Sequence, residues 1–218
     1  MNKILLLIYF FSTYSFYAQS EASSFYFKSP QPLGIDSAFE FNENYIGSFY
    51  KANDSLVRVI IDRDSIFSEF IIMLTISQKE LKKNKKLKLG DSLLFGVKEN
   101  KGIPYMSLDD TIYAVMLQYE LFFKADKDHV LKFKDDQYFL NSKNEKGFYS
   151  TSILGLKEDT LSILEIDHYE SMEKIKKFKD LNQHTIDDIK IFLANPSNEE
   201  LTEFILNNGF NDQIIYHK

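Results

Sequence analysis

The segment from residue 111 to residue 123 has an unbroken apolar row at every second position, whereas Gln118 and Glu120 interrupt the alternate positions, and this pattern constrains the fold more than any other feature. Every second position carries a large apolar or aromatic side chain: Tyr113, Val115, Leu117, Tyr119, Leu121 and Phe123. Successive side chains of a β-strand point to opposite faces of a sheet. The pattern therefore predicts a long strand with one unbroken apolar face, which is typical of antiparallel sheets.

A three-residue motif, aspartate followed by serine or threonine and then by leucine or isoleucine, occurs five times. The copies begin at Asp54, Asp64, Asp91, Asp110 and Asp159. Aspartate, serine and threonine side chains accept hydrogen bonds from nearby backbone amides and so favour turns. We predict that each copy ends a turn and starts a strand, which indicates a sheet built from hairpins.

Other segments extend this pattern. We predict strands at 45–51, 57–61, 130–134, 137–141, 148–156 and 161–167, and we interpret the apolar segment 66–76 as a strand rather than a helix. Ser77 and Glu80 form a capping-box pattern, which predicts a short helix over 78–84. After Asp167 the apolar spacing changes from two to about 3.6 residues, which predicts three helices. The second is centred on 186–193, Ser197 caps the third, and residues 214–216 are expected to form a short strand.

The predicted fold class is β-rich α+β. Residues 45–167 are expected to form an antiparallel meander or a partly closed β-barrel, and residues 168–218 a helical segment packed on it. Residues 21–44 are assigned to an N-terminal extension, of which 21–31 are expected to be loosely ordered.

Residues 1–20 have the pattern of a secretory signal peptide. Lys3 precedes an apolar run from Ile4 to Phe11, and Ala18 and Ser20 are small residues near a cleavage point after Ser20 or Ala18. The run is too short for a membrane span, so we expect an exported mature chain with no transmembrane span. The periplasm is the favoured location, and the cell surface or extracellular space comes second.

Composition excludes several kinds of site. The chain has no cysteine, so it has no disulfide, no thiolate metal site and no cysteine for lipid attachment. Without the leader, 25 basic residues face 32 acidic ones, a net charge of about −7. This balance disfavours nucleic acid as a partner.

Two groups of side chains could carry chemistry. Glu165, Asp167 and His168 could transfer protons, because strand alternation places both carboxylates on one face, and a periplasmic hydrolase is the alternative they suggest. The group stands at a strand-to-helix junction, however, where Asp167 also fits a helix cap, and this structural interpretation is favoured. Asp126, Asp128 and His129 could bind a metal ion, but a solvated turn between two strands is the favoured interpretation. We expect no cofactor.

Tyr113, Tyr119 and Phe123 would line the interior of a closed barrel, where they could contact a small apolar ligand. The segment Tyr45-Ile46-Gly47-Ser48-Phe49-Tyr50 resembles the Gly-x-Trp start of lipocalin-type barrels, with Phe49 in the place of the tryptophan. The resemblance implies eight antiparallel strands around a small apolar molecule. No tryptophan, Thr-Asp-Tyr motif or late arginine matches that family, so no binding residue carries over.

Abundant isoleucine, lysine, asparagine, phenylalanine and tyrosine, with a leader ending in Tyr17-Ala18-Gln19, resembles the exported proteins of Bacteroidota bacteria. This resemblance implies a Gram-negative cell envelope. The leading hypothesis is a non-catalytic envelope protein that binds a small apolar ligand or a protein partner. A structural or assembly protein acting through the C-terminal helices is a further alternative.

Overall fold

The computed structural model describes residues 23–98, 101–186 and 189–218. The predicted signal peptide lies outside these residues. Within them the structure is a large β-sheet with three α-helices, α1 (Gln78–Lys83), α2 (His168–Ile175) and α3 (Asn198–Leu206), and a single 3-10 turn (Glu43–Tyr45). The strands are β1 (Ser23–Phe27), β2 (Ser37–Ala38), β3 (Gly47–Lys51), β4 (Asp54–Ile61), β5 (Ser65–Ser77), β6 (Lys88–Leu89), β7 (Leu93–Lys98), β8 (Lys101–Leu108), β9 (Thr111–Lys124), β10 (His129–Lys134), β11 (Gln137–Lys143), β12 (Tyr149–Lys157), β13 (Thr160–Glu165), β14 (Asn182–Ile186), β15 (Ile189–Ala194) and β16 (Asp212–His217).

The strands follow the order β14-β15-β1-β12-β13-β16-β3-β4-β5-β9-β8-β7-β6. A side branch leaves β12 through β11 and β10 and ends at β2. Strand β1 runs parallel to β15, and every other described pair is antiparallel. In the described ranges the end strands β14 and β6 do not pair with each other, so this sheet is open rather than closed into a barrel.

The β-rich, antiparallel fold class is confirmed, and the five Asp-Ser/Thr motifs begin β4, β5, β7, β9 and β13. At two of these turns the residue before the motif has a positive φ, which is 51° for Asp109 and 55° for Glu158. Aspartate tolerates this conformation better than most residues. The segment 66–76 is a strand as predicted. The capping box of α1 is also present, because Glu80 N donates to Ser77 Oγ at 3.2 Å and Ser77 N donates to Glu80 Oε2 at 2.9 Å.

The prediction of three C-terminal helices is wrong for the second one. Residues 182–186 and 189–194 are the antiparallel strands β14 and β15, and β15 lies between β14 and β1 with its last four residues buried. A strand buried on both faces reads as a continuous apolar run, here Ile191-Phe192-Leu193-Ala194, and its spacing also fits a helical stripe. The first and third helices and the strand over 214–216 are present as α2, α3 and β16.

The N-terminal segment is also more structured than predicted. Strand β1 pairs with β15 over its whole length and with β12 at its end, and Gln31 is fully buried. Asn141 on β11 holds this segment from both sides: Gln31 N donates to Asn141 Oδ1 at 2.7 Å, and Asn141 Nδ2 donates to Gln31 O at 2.8 Å. These bonds satisfy backbone groups of Gln31 that would otherwise be buried without a partner.

Three apolar clusters divide the interior. The first packs Phe49, Ile66 and Phe123 with the side chains of β11 to β13, and the second packs α2 and α3 against β1, β12 and β15. The third is small and centres on Leu94, Ile103 and Ala114. It packs on the C-terminal part of β5 and the N-terminal part of β9. Among the described residues, no helix is long and apolar enough to cross a membrane.

Candidate functional site

Strands β5 and β9, of 13 and 14 residues, pair antiparallel along their length and form a two-stranded ribbon that continues beyond the end of the β4–β5 pairing. One side of the ribbon packs on the third cluster through Leu74, Ile76 and Ala114. The opposite side, which we call the outer face, carries a row of apolar side chains. Its members are Ile71, Met73, Met106, Val115, Leu117, Tyr119 and Leu121.

The side chains of the outer face are unusually exposed for apolar groups. Ile71 is 36% exposed, Val115 44% and Met73 64%, and the others fall within the same range. Met73 lies directly opposite Val115 and Ile71 opposite Leu117, so the side chains form a contiguous strip along two strands. A contiguous apolar strip at the surface marks an interaction site more often than a scatter of single apolar residues does.

The edge of β5 beside this strip is also available for pairing. Strand β4 pairs with β5 only from Ile66 to Phe70. From Ile71 to Ser77, β9 is the sole strand neighbour of β5 among the described residues. A long strand edge with unused backbone groups is a template for a further strand.

One ion pair interrupts the apolar strip. Arg58 Nη2 donates to Glu69 Oε2 at 3.0 Å, Arg58 Nε contacts Glu69 Oε1, and Arg58 Nη1 donates to the Tyr50 hydroxyl at 3.3 Å. Glu69 is only 3% exposed although it lies on the outer side of the ribbon. The hydrogen bond from Arg58 lowers the pKa of the Glu69 carboxyl, and the hydrogen bond to Glu69 raises the pKa of Tyr119. The charge on the face is thus neutralised locally.

The predicted ligand-lining residues do not share one face. A register shift between Ile66 and Phe67 pairs Phe67 with Leu121 and Ile66 with Phe123, so Phe122 is an extra residue on β9. Such a bulge moves the following side chain to the other side of the strand. Phe123 is therefore in the core, whereas Tyr119 is 56% exposed and Tyr113 is half-buried on the outer side.

The structure places Asp126, Asp128 and His129 in the turn between β9 and β10. Asp126 Oδ1 accepts hydrogen bonds from Asp128 N at 2.8 Å and from His129 N at 2.9 Å, and it contacts His129 Nδ1 at 2.9 Å. This geometry is that of a hydrogen-bonded turn. Across the described ranges, no group of three histidine or acidic side chains is arranged to hold a metal ion.

Glu165 and His168 lie at the same cavity, whereas Asp167 has a different role. Asp167 caps α2, because its Oδ1 accepts from Tyr169 N at 2.8 Å and from Glu170 N at 3.2 Å. Glu165 and His168 instead line one cavity of about 160 Å³ between β1, β12 and α2. Ser152 Oγ donates to Glu165 Oε1 at 3.2 Å, so the serine is paired with a carboxylate and not with the histidine that a nucleophilic triad requires.

Six lysines follow β5 in α1 and the adjoining loop, and all are exposed: Lys79, Lys82, Lys83, Lys85, Lys86 and Lys88. Leu81 and Leu87 from the same segment pack on the third cluster with Leu74 and Ala114. This basic segment therefore covers the inner side of the ribbon and lies opposite the outer face. The two surfaces do not merge into one.

Comparison of the chain with protein-family models, with curated protein sequences and with solved structures found no significant match.

Proposed function

We propose that this protein is an exported, non-catalytic binding protein that holds a partner protein against the outer face of its β5–β9 ribbon. The observation that carries the proposal is the row of exposed apolar side chains on β5 and β9, which includes Ile71, Met73 and Val115. Burying such a strip removes apolar area from water, which stabilises a complex by about 25 cal/mol for each Å² buried. The partner would supply the covering side chains.

The partner segment that fits best is an extended strand with apolar side chains at every second position. It would add to the edge of β5 over Ile71–Ser77, where backbone hydrogen bonds provide affinity and the outer face provides specificity. A small apolar ligand fits less well, because such ligands need a concave site that buries most of their surface. Four cavities of the structure lie around α2, α3 and β1, and none of these four includes a residue of β5 or β9.

A membrane surface also fits less well than a protein. Membrane-binding surfaces combine apolar side chains with lysine or arginine on the same side of the molecule. Here the six-lysine segment packs on the inner side of the ribbon, and the arginine of the outer face is paired with Glu69.

The proposed location is the periplasm, with the cell surface or extracellular space second. Its support is the signal-peptide pattern of residues 1–20 and the absence of cysteine for lipid attachment. Cell fractionation followed by N-terminal sequencing tests it. Recovery of an uncleaved chain from the cytoplasm would contradict the location.

The partner proposal is tested by charged substitutions on the outer face, expressed at native levels in the source cells. Met73→Lys and Val115→Lys alter the strip, and Leu206→Lys is a matched control because Leu206 is an 81% exposed apolar residue on α3. Extracts of the envelope are resolved by native electrophoresis and by sedimentation.

The wild type and Leu206→Lys are expected in a complex larger than the purified chain, and the two face variants as the free chain. The proposal is overturned if the face variants remain in the complex. It is also overturned if the purified chain alone reaches the same size, because the occupant would then be a second copy.

A further inference from the structure

The cavity of about 160 Å³ beside α2 is independent of the outer face. Its walls include the rings of Phe25, Phe27 and Tyr149, and its polar groups include Glu165 and His168. The ring centroids of Phe25 and His168 are 6.5 Å apart, so the histidine stands against the aromatic wall. The cavity thus joins an aromatic surface to one carboxylate.

Among the described residues, that carboxylate has no cationic partner. In the described ranges Glu165 forms no ion pair with a lysine or arginine, and none of the residues that line the cavity is a lysine or arginine. Its hydrogen-bond donor is the Ser152 hydroxyl, which bonds to Oε1. A half-buried carboxylate usually gains a charged partner, because burial without one is costly.

The other polar groups at the cavity do not supply positive charge. Burial lowers the pKa of His168, so its imidazole is neutral near pH 7, and its Nδ1 is buried with no hydrogen-bond partner in the described part of the chain. The backbone amides of Tyr169 and Glu170 at the start of α2 already donate to Asp167. Among the described residues that line the cavity, Glu165 is the one charged side chain, so the cavity attracts a cation and repels an anion.

We propose that this cavity binds a small organic amine, with its ammonium group paired to Glu165 and its hydrocarbon part packed on Phe25, Phe27 and Tyr149. A charge-assisted hydrogen bond to the carboxylate is stronger than a neutral one. Aromatic rings near the cation add attraction through their π faces. A cavity of similar volume in another protein holds one benzene molecule, so the ligand has about six to ten non-hydrogen atoms.

Three probes built on the same cyclohexane ring test the charge preference on the unaltered mature protein: cyclohexylammonium, cyclohexanol and cyclohexanecarboxylate. Binding is followed at pH 7 by two-dimensional amide NMR. Cyclohexylammonium is expected to shift the amide signals of Ser150, Ser152 and His168 and to bind about tenfold more tightly than cyclohexanol, a difference of about 1.4 kcal/mol. Equal binding of the ammonium and the alcohol, stronger binding of the carboxylate, or no binding of any probe overturns the proposal.

Variants then assign the charge preference to one residue. Glu165→Gln is expected to reduce the ammonium-to-alcohol ratio to about one while cyclohexanol still binds, which also shows that the variant is folded. Glu173→Gln on the exposed side of α2 is the matched control and retains the preference. Ser152→Ala keeps the carboxylate and should retain it too. Loss of the preference in Glu173→Gln, or its survival in Glu165→Gln, contradicts the assignment. Neither result depends on a partner at the outer face.

Discussion

Arg58 on β4 lies directly opposite Glu69 on β5, and its Nη2 donates to Glu69 Oε2 at 3.0 Å. Their side chains are 29% and 4% exposed, so the pair is much less solvated than an ordinary surface ion pair. The pair connects β4 to β5 close to the end of their pairing, because only Val57 and Phe70 pair beyond it.

A double-mutant cycle measures the energy of this pair. Arg58→Met and Glu69→Gln are each expected to lower the free energy of unfolding by about 1 to 3 kcal/mol, because each leaves a charged or polar partner unsatisfied. The double variant should lose less than the sum of the two, as measured by urea unfolding. The control pair is Arg63 and Glu40, whose Nε and Oε2 atoms are 3.8 Å apart and whose side chains are largely exposed.

For that control pair the coupling energy is expected to be below about 0.5 kcal/mol. Equal coupling energies for the two pairs would show that burial of Glu69 adds nothing to its pairing with Arg58.

The histidine at the start of α2 predicts a pH dependence. Burial lowers the pKa of His168 in the folded chain, whereas in the unfolded chain it titrates near about 6.5. Above that pH both states are neutral and no penalty exists. As the pH falls below about 6.5 the unfolded state takes up the proton first, so the free energy of unfolding decreases. Urea unfolding between pH 7.5 and 5 should show this decrease.

His168→Gln is expected to have a smaller decrease than the wild type over the same range, since the group that titrates differently is gone. His184→Gln is the control, because His184 is exposed on β14. A wild-type slope in His168→Gln would contradict the account.

The contact between Asn141 and the N-terminal segment predicts a large local effect. Asn141→Ala removes the hydrogen bonds to Gln31 N and Gln31 O, which are both buried. It should lower the free energy of unfolding by about 2 to 4 kcal/mol. Hydrogen exchange at the amides of residues 24–29 and of Gln31 should become faster than in the wild type. Asn207→Ala, at an exposed position on the end of α3, should change stability by less than about 0.5 kcal/mol. Unchanged exchange in Asn141→Ala would show that other contacts hold the segment.

Neighbouring positions on β9 test the orientation of the ribbon. Ala114 is fully buried and Val115 is 44% exposed. Ala114→Lys should therefore lower the free energy of unfolding by about 3 kcal/mol or more, and Val115→Lys by less than about 1 kcal/mol. Thermal unfolding of the two purified variants gives the comparison. A greater loss in Val115→Lys would mean that the outer face is the buried one.

Alternation predicted the bounds of β9 almost completely but could not tell which side would be buried. Ile112, Ala114 and Met116 are apolar as well, so both sides of this part of the strand are apolar in sequence. The covering side chains, Leu94 and Ile103, come from β7 and β8, whose approach depends on tertiary contacts. The bulge at Phe122 also has no local signal, and it moves Phe123 to the core.

The Arg58–Glu69 pair was missed for a related reason. Both residues interrupt apolar strands, which is a visible signal, but their pairing depends on the length of the turn between Ile61 and Ile66. The motif at Asp64 predicts a turn without fixing that length. Similarly, capping patterns identified α1, α2 and α3, whereas the short apolar run of β15 fits a helix and a buried strand equally well.

Site-specific photo-crosslinking shows whether a partner protein lies on the outer face. A benzophenone amino acid placed at Met73 in the native cell envelope is expected to yield one cross-linked product that contains a second protein. Introducing Val115→Lys, directly opposite on β9, should abolish it. The same probe at Leu206 should give no such product. A product that contains only lipid or a second copy of this chain, or equal yields from positions 73 and 206, would contradict a partner protein on the outer face.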